Sequence, residues 1–379
     1  MIMLFSVSFA IIAYTLVIYP GLMVTLGLLW PRTLSRGTDL PTVTILVAAC
    51  NEEHHIGEMI AQLERLDYPS GLVECVVATD EGSIDRTHEL VDDAESKGIL
   101  RVIRPDPGQF GKNVSMDAAM AATSGEIVVF CDASARWRAD AIRKLATAFE
   151  VERIGCISAY KSYWHDDGFG AHSYREYWNF EGLIDRGSSV LGYVPNASGG
   201  LHAVRRELYR PIPNHMIRDL VDPAQSLGQG RIAVLDTEVP YLDAPWVGVD
   251  EVYSARVRIT QRALSSTPYI LRQLWKSGRP WTILQFVSHK LLRWILWLPL
   301  LLFFLSSIPL AITGFLPALV AVAGVIAWFG LAFVQASFPQ IGRKIAADHA
   351  LFLLLSFIAM FEGTRRSLLG RTRSTWRSS

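Results

Sequence analysis

An α/β fold class, with a mostly parallel sheet domain set between an N-terminal transmembrane helix and C-terminal transmembrane helices, follows from three features of the 379-residue sequence. Half of the residues are hydrophobic, which is high for a soluble chain. Long uncharged stretches lie near both ends. Between them, apolar runs of strand length alternate with amphipathic helical patterns, the signature of a helix-covered parallel sheet.

Residues 3–30 carry no charge and exceed the roughly 20 positions that a helix needs to cross about 30 Å of hydrocarbon. Residues 1–30 therefore read as one membrane helix, with a kink expected at Pro20-Gly21. A cleaved signal peptide would show a basic start, a shorter apolar core and a small-residue cleavage site, and the stretch has none of these.

Residues 31–263 form the expected sheet domain. VTILVAAC, VECVVATD, LRVIRP and EIVVFCD read as strands, and EEHHIGEMIAQLERL, IDRTHELVDDAESKG, VSMDAAMAATS and ADAIRKLATAFE as the helices between and after them. Residues 264–293 mix aromatic and basic side chains and read as an interfacial amphipathic region. Residues 294–338 are long enough for two transmembrane helices joined by a tight turn near Gly314.

Lys290 and Arg293 precede that pair and Arg343-Lys344 follow it. The positive-inside rule puts both outer ends on the cytoplasmic side, and Arg32 and Arg36 agree. The chain is thus expected to be integral to an inner or plasma membrane, with its sheet domain cytoplasmic. The apolar residues 349–361 reach only about 20 Å as a helix, and crossing would export Arg365, Arg366, Arg371, Arg373 and Arg377. Residues 339–379 read as an in-plane or re-entrant helix with a basic cytoplasmic tail, a fourth span being the alternative.

Lys plus Arg and Asp plus Glu each number 36, so there is no electrostatic footprint for nucleic acid. Cys50, Cys75, Cys131 and Cys156 sit in or beside apolar runs without metal-like spacing and read as core residues.

Three strands end in acid-rich turns: Asn51-Glu52-Glu53, Asp80-Glu81-Gly82-Ser83-Ile84-Asp85, and Asp132-Ala133-Ser134. Each alone could cap the next helix. Together they place mutually repelling carboxylates at the carboxyl edge of one sheet, where ligands bind in such folds. A hard divalent ion with an anionic ligand relieves that repulsion, because Mg²⁺ takes one or two carboxylates and fills its shell with phosphate oxygens and water. Gly111-Lys112 adds a phosphate-binding lysine beside flexible backbone, and in this context suggests a nucleoside diphosphate.

Over Pro41 to Ala263 these residues resemble the GT-A glycosyltransferases of family two, the group that includes cellulose, chitin and hyaluronan synthases and shares its motifs with ceramide glucosyltransferases. The resemblance assigns Asn51, Glu52, Asp80 or Glu81, Asp85, Lys112 and Asp132 to a nucleotide-sugar donor, most simply a UDP-sugar. It places Mg²⁺ or Mn²⁺ at Asp132, with Ser134 where the family carries a second acid. Gly199, Gly200 and His202 fall on the acceptor side. Asp219 falls at the catalytic base, with Asp222 as the alternative, and Arg218 replaces the family's first acid there. Of the family's last motif only an arginine survives between Ala255 and Ile259, so Arg256, Arg258 and Arg262 are assigned to the leaving group.

The implied activity is an inverting transfer from a nucleotide-diphosphate sugar to a membrane lipid or lipid-linked glycan acceptor, with Asp219 as base and Arg258 beside it in catalysis. A processive polysaccharide synthase and an inactive nucleotide-sugar-binding scaffold are the alternatives. His54-His55 with Glu58 reads as a solvated helix start, His165-Asp166-Asp167-Gly168 as a polar turn, and Trp164, Tyr174, Tyr177, Trp178 and Phe180 as core packing.

Overall fold

The computed structural model describes residues 1–163, 171–244, 248–344 and 347–370. Trp164, the His165–Gly168 turn and the tail residues Arg371, Arg373 and Arg377 lie outside the described residues.

Eight strands, β1 (Val43–Ala48), β2 (Val73–Ala78), β3 (Arg101–Ile103), β4 (Ile127–Asp132), β5 (Arg136–Trp137), β6 (Ile154–Tyr163), β7 (Leu201–Arg205) and β8 (Ile232–Asp243), make one sheet. Their order is β3-β2-β1-β4-β7-β6-β8-β5. The β3-β2-β1-β4 half is all parallel, as the alternating pattern predicts, whereas β7 runs antiparallel to both β4 and β6. Val43, Ile45, Leu46 and Val47 are at most 1% exposed, because helices cover both faces of the sheet and each face supports its own apolar core. Ala48 pairs with Ala78 on one side and Asp132 on the other, so the three acid-rich turns leave the sheet at one edge.

The helix Ile2–Leu29 is long and apolar enough to span a bilayer. Its irregularity is a widened π turn at Tyr14–Ile18, one turn before the proline. Pro20 has no N–H and its ring presses on the carbonyl four residues back, and the wider turn absorbs both effects. The second half of this helix packs on Ala171–Val190 at a glycine seam, where a β-carbon on Gly187 would fall 1.9 Å from the Met23 carbonyl oxygen.

Leu316–Ser337 is a second candidate span, and Gly314, at φ +81°, makes the turn that precedes it. Trp297–Ile312 has only 16 residues, and joins Pro280–Trp294 at a 61° bend, so the two together make at most one broken span. The helix Val249–Lys276 runs 28 residues without a break. The domain boundary expected at residue 263 falls inside it, since the buried stripe of Val252, Val257, Ala263, Ile270 and Leu274 continues through that point. Asp348–Leu368 extends beyond its apolar run and packs along this helix, with Gly363 close enough that a β-carbon would lie 2.8 Å from the Val257 carbonyl oxygen.

Candidate active site

Beyond the ends of β1 and β4 lies a cavity of about 530 Å³ that continues past the 249–276 helix to the 280–294 helix beside the candidate membrane spans. Asn51, Glu52, Lys112, Asp132, Ser134, Gly199, His202, Asp219, Arg256, Arg258 and Arg262 all line it. Asp80, Glu81 and Asp85 do not.

Asp132 closes β4, where its amide donates to the Gly200 carbonyl. Its Oδ1 accepts from Lys112 Nζ at 2.5 Å. Lys112 opens the helix Lys112–Ala121 directly after Gly111, whose φ of +119° is open only to glycine at low cost. The Gly111 amide donates to Asp80 Oδ2 at 2.7 Å, while Asp80 Oδ1 accepts from Gly82 N at 2.9 Å. Asp80 is 2% exposed, and both its oxygens serve to tie the turn after β2 to the start of the lysine helix. Glu81 is exposed beside it.

Asp85 has a similar role in framing the site. Its carboxylate accepts from the Glu53 and Thr87 amides, tying the first residue of the helix Thr87–Ser96 to the turn after β1. Burial works against its charge, but the Thr87 hydroxyl and these amides hold its carboxyl below the ordinary range. Asn51 takes the left-handed conformation at φ +58°, which Asn tolerates, and its Oδ1 accepts from Ile84 N. Glu52 faces the cavity. Burial pushes its carboxyl up to about 7, Asp132 adds repulsion, and Lys112 opposes both.

Asp219 is the second residue of the helix Arg218–Gly228. A β-carbon on Gly199 would lie 3.2 Å from Asp219 Oδ2 and 3.8 Å from Asp132 Oδ2, so the bare backbone at Gly199 is what lets both carboxylates approach. Burial raises the Asp219 carboxyl above its ordinary value, and Asp132 adds to the rise, while His202, Lys112 and Lys161 oppose it. Asp222, one turn on, is 3% exposed and bonded to Arg218 at 3.1 Å and to His202 Nε2 at 3.1 Å. His202 is also buried, stacked on Phe130 with its Nδ1 at the Ser198 carbonyl, and forms part of the cavity floor. Gly200 leaves room for the ring of Tyr241.

Ser134 turns its hydroxyl to Asp243 Oδ1 at 2.7 Å, and Asp243 Oδ2 meets Lys161 Nζ at 2.8 Å. Burial disfavours the Asp243 charge, yet Lys161 and Ser134 hold its carboxyl below the ordinary range. The sequence reading misses Asp243 and Lys161, although Asp243 ends β8 and so obeys the same strand-end rule as Asp132. Arg258 and Arg262 lie one turn apart on the 249–276 helix. Arg262 donates to the Met216 and Asn214 carbonyls, Arg258 is exposed in the cavity, and Arg256 lies 4.9 Å over the Tyr177 ring. Tyr177 and Trp178 line the cavity wall and are not core residues alone.

Among the described residues, no three potential ligands gather tightly enough to hold a metal unaided. The donor set is nonetheless all oxygen, with Asp132 and Asp219 oxygens on one side of Gly199 and Glu52 and Asp243 on the same cavity. That set suits a hard divalent cation that completes its shell with diphosphate oxygens and water.

Residues 44–212 match the family model for glycosyl transferase family 2. The β-monoglucosyldiacylglycerol synthase of Trichormus variabilis is 32% identical over 125 residues, 33% of this chain and 27% of that protein. The β-monoglucosyldiacylglycerol synthase of Synechocystis sp. is 35% identical over 124 residues, 32% of this chain and 26% of that protein. The matched region thus spans about a quarter of these curated relatives. The mannosyltransferase PcManGT from Pyrobaculum calidifontis, solved in complex with GDP-Man and Mn²⁺, superposes with a TM-score of 0.71 at 20% identity, covering 97% of this chain and 99% of that one. That likeness establishes the GT-A type of mixed α/β sheet with flanking helices over the length of the chain.

Proposed function

We propose, on the match of residues 44–212 to the glycosyl transferase family 2 model, that the protein moves a sugar from a nucleotide-diphosphate sugar to a membrane lipid or lipid-linked acceptor with inversion at the anomeric carbon. One observation carries the reading. The Asp132 and Asp219 carboxylates both approach the open side of Gly199, in a cavity that runs from the sheet edge to helices beside the candidate membrane spans.

The donor's diphosphate lies against Lys112 and Asp132, its nucleoside against the turns of Asn51 and Glu81, and Mg²⁺ or Mn²⁺ is held at Asp132 with the phosphates. The Mn²⁺ in the mannosyltransferase complex and the oxygen donor set here support that choice. When bound, the ion draws charge from the departing diphosphate.

Asp219 accepts the proton of the acceptor hydroxyl as that oxygen bonds to the anomeric carbon and the bond to the β-phosphate oxygen breaks. Its raised carboxyl pKa suits a base that must pick up and return a proton. Lys112 and Arg258 neutralise the leaving diphosphate. Asp222 is committed to Arg218 and His202, which favours Asp219 over it. The relatives named as glucosyldiacylglycerol synthases support a lipid acceptor. The basic flanks Arg32, Arg36, Lys290 and Arg293 support a cytoplasmic site on an inner or plasma membrane.

Purified membranes carrying the protein, incubated with a panel of radiolabelled nucleotide sugars, should pass label from one donor into the organic phase as a single sugar addition. A ladder of products would instead identify a polymerising synthase. Uridine diphosphate binding with no donor consumed would identify a scaffold.

A further inference from the structure

His202 lies in β7, paired with Phe130 of β4 on one side and Ser158 of β6 on the other. Its ring stacks on Phe130 with centroids 5.1 Å apart, and the residue is 2% exposed. Nδ1 meets the Ser198 carbonyl at 2.9 Å, and Nε2 meets Asp222 Oδ2 at 3.1 Å. The sequence resemblance sets His202 on the acceptor side, yet both ring nitrogens are engaged within the protein and almost none of the side chain is open to a ligand.

The partners fix where the protons are. A carbonyl oxygen only accepts, so Nδ1 carries a proton and donates it. Nε2 then faces a carboxylate oxygen, and that gap holds a proton too, on the ring or on Asp222, because two opposed lone pairs would be costly in a buried site. Arg218 bonds the other oxygen of the same carboxylate at 3.1 Å, which holds Asp222 in this orientation.

The two ends of the ring grip two different pieces of the site. The Ser198 carbonyl belongs to the peptide bond that leads into Gly199, whose open side both Asp132 and Asp219 approach. Asp222 lies one turn after Asp219 on the helix Arg218–Gly228. Backbone bonds fasten the ends of the 197–200 turn, from the Ala197 amide to the Asp219 carbonyl at 2.8 Å and from the Asp132 amide to the Gly200 carbonyl. His202 adds a side-chain link from the middle of that turn to the helix that carries Asp219.

We infer that His202 is a positioning residue for Asp219, an inference that rests on the role of Asp219 as base proposed above. Its imidazole spans from the Gly199 turn to the Asp219 helix and sets their separation without touching either substrate, and Asp222 completes the brace. A reacting group misplaced by about 1 Å can cost about 100-fold in rate, so the brace acts on the chemical step and leaves binding alone.

The test uses the full chain in membranes, with the donor that labels lipid in the nucleotide-sugar panel and a lipid extract as acceptor. Folded protein is counted by fluorescence-detected size exclusion. A glutamine amide has one nitrogen where imidazole has two, so His202→Gln keeps only one of the two bonds. Its kcat per folded molecule should fall about 10- to 100-fold, while the KM values for donor and acceptor stay within about two-fold. Placed in the Asp219→Asn background, the same change should cost less than about two-fold, because the brace has no base left to aim. In Asp222→Asn the side-chain oxygen stays with Arg218 and the amide nitrogen donates to Nε2, so both ring bonds survive. That variant should keep kcat per folded molecule within about three-fold of wild type, though it melts lower as Arg218 loses a charged partner.

An acceptor KM that rises in His202→Gln with kcat held assigns the residue to acceptor contact and overturns the inference. An equal loss with and without Asp219, or a lower melting temperature with kcat unchanged, is the mark of a structural role and overturns it as well. So does an Asp222→Asn that loses as much kcat as His202→Gln, since charge and not geometry is then the cause. If Asp219→Asn turns over at the wild-type rate, the base assignment itself fails and takes this inference with it.

Discussion

Asp132 and Asp219 belong to segments 87 positions apart, yet Oδ2 of each lies within 3.8 Å of where a single β-carbon on Gly199 would stand. The glycine is what keeps that space open. Gly199→Ala should therefore push the Asp219 carboxylate aside by a few tenths of an ångström. Small displacements of reacting groups are costly, so kcat should fall about 10- to 100-fold. The melting temperature should change little, because the contacted atoms are the mobile ends of side chains, and paired kinetic and calorimetric measurements would check both.

Asp219→Asn should remove about 10²- to 10⁴-fold of turnover and leave donor affinity nearly unchanged, measured by donor titration and single-turnover rates. Because the folded carboxyl titrates above its ordinary value, the acid limb of the wild-type pH profile should lie above that of a solvated aspartate and should vanish in the variant. The stability effect has the opposite sign. A carboxyl raised on folding binds more protons in the native state than in the unfolded one, so it lowers stability as pH climbs past the unfolded value. Asp219→Asn should melt higher than wild type near neutral pH, and the gain should disappear below the ordinary carboxylate range.

Lys112→Met should weaken nucleotide-sugar binding about 10- to 100-fold, since charge-assisted bonds to phosphate are lost. It also removes the cation that lowers the carboxyls of both Glu52 and Asp219. The acid limb of the remaining activity should move to higher pH, as a rate profile would record.

Asp222→Ala should be a folding defect first. It leaves Arg218, 5% exposed, without its closest carboxylate and His202 without its Nε2 partner. Breaking a buried pair on one side costs about 3–5 kcal/mol. Denaturant titration should show that loss, in contrast to the stability gain expected at Asp219, and so separate two aspartates only three positions apart.

Much of this site was legible because strand ends are local. Val47, Cys131 and their neighbours form uninterrupted apolar runs, and the acids that follow must emerge at the sheet edge. The roles of those acids were not legible. Asp80 and Asp85 lie in the same turn as Glu81, and only the fold shows that backbone amides consume both of their carboxylates. Asp243 and Lys161 come from β8 and β6, brought beside Ser134 by the second half of the sheet, where β7 reverses direction. No local pattern reports such a crossing. Glu181 is harder still, because on its own helix it looks like a solvated acid, and the three partners that permit its burial come from positions 289–293.

The seam between Gly27 and Gly187 carries a mechanical consequence. With backbone against backbone at these two glycines, the Ile2–Leu29 helix lies directly on the wall that bears Tyr177 and Glu181. On the proposed membrane topology, that contact sets the height of the chamber over the lipid surface. Reach would then act as a filter alongside recognition: an acceptor whose nucleophilic oxygen rode a few ångströms too deep would not meet the proposed base.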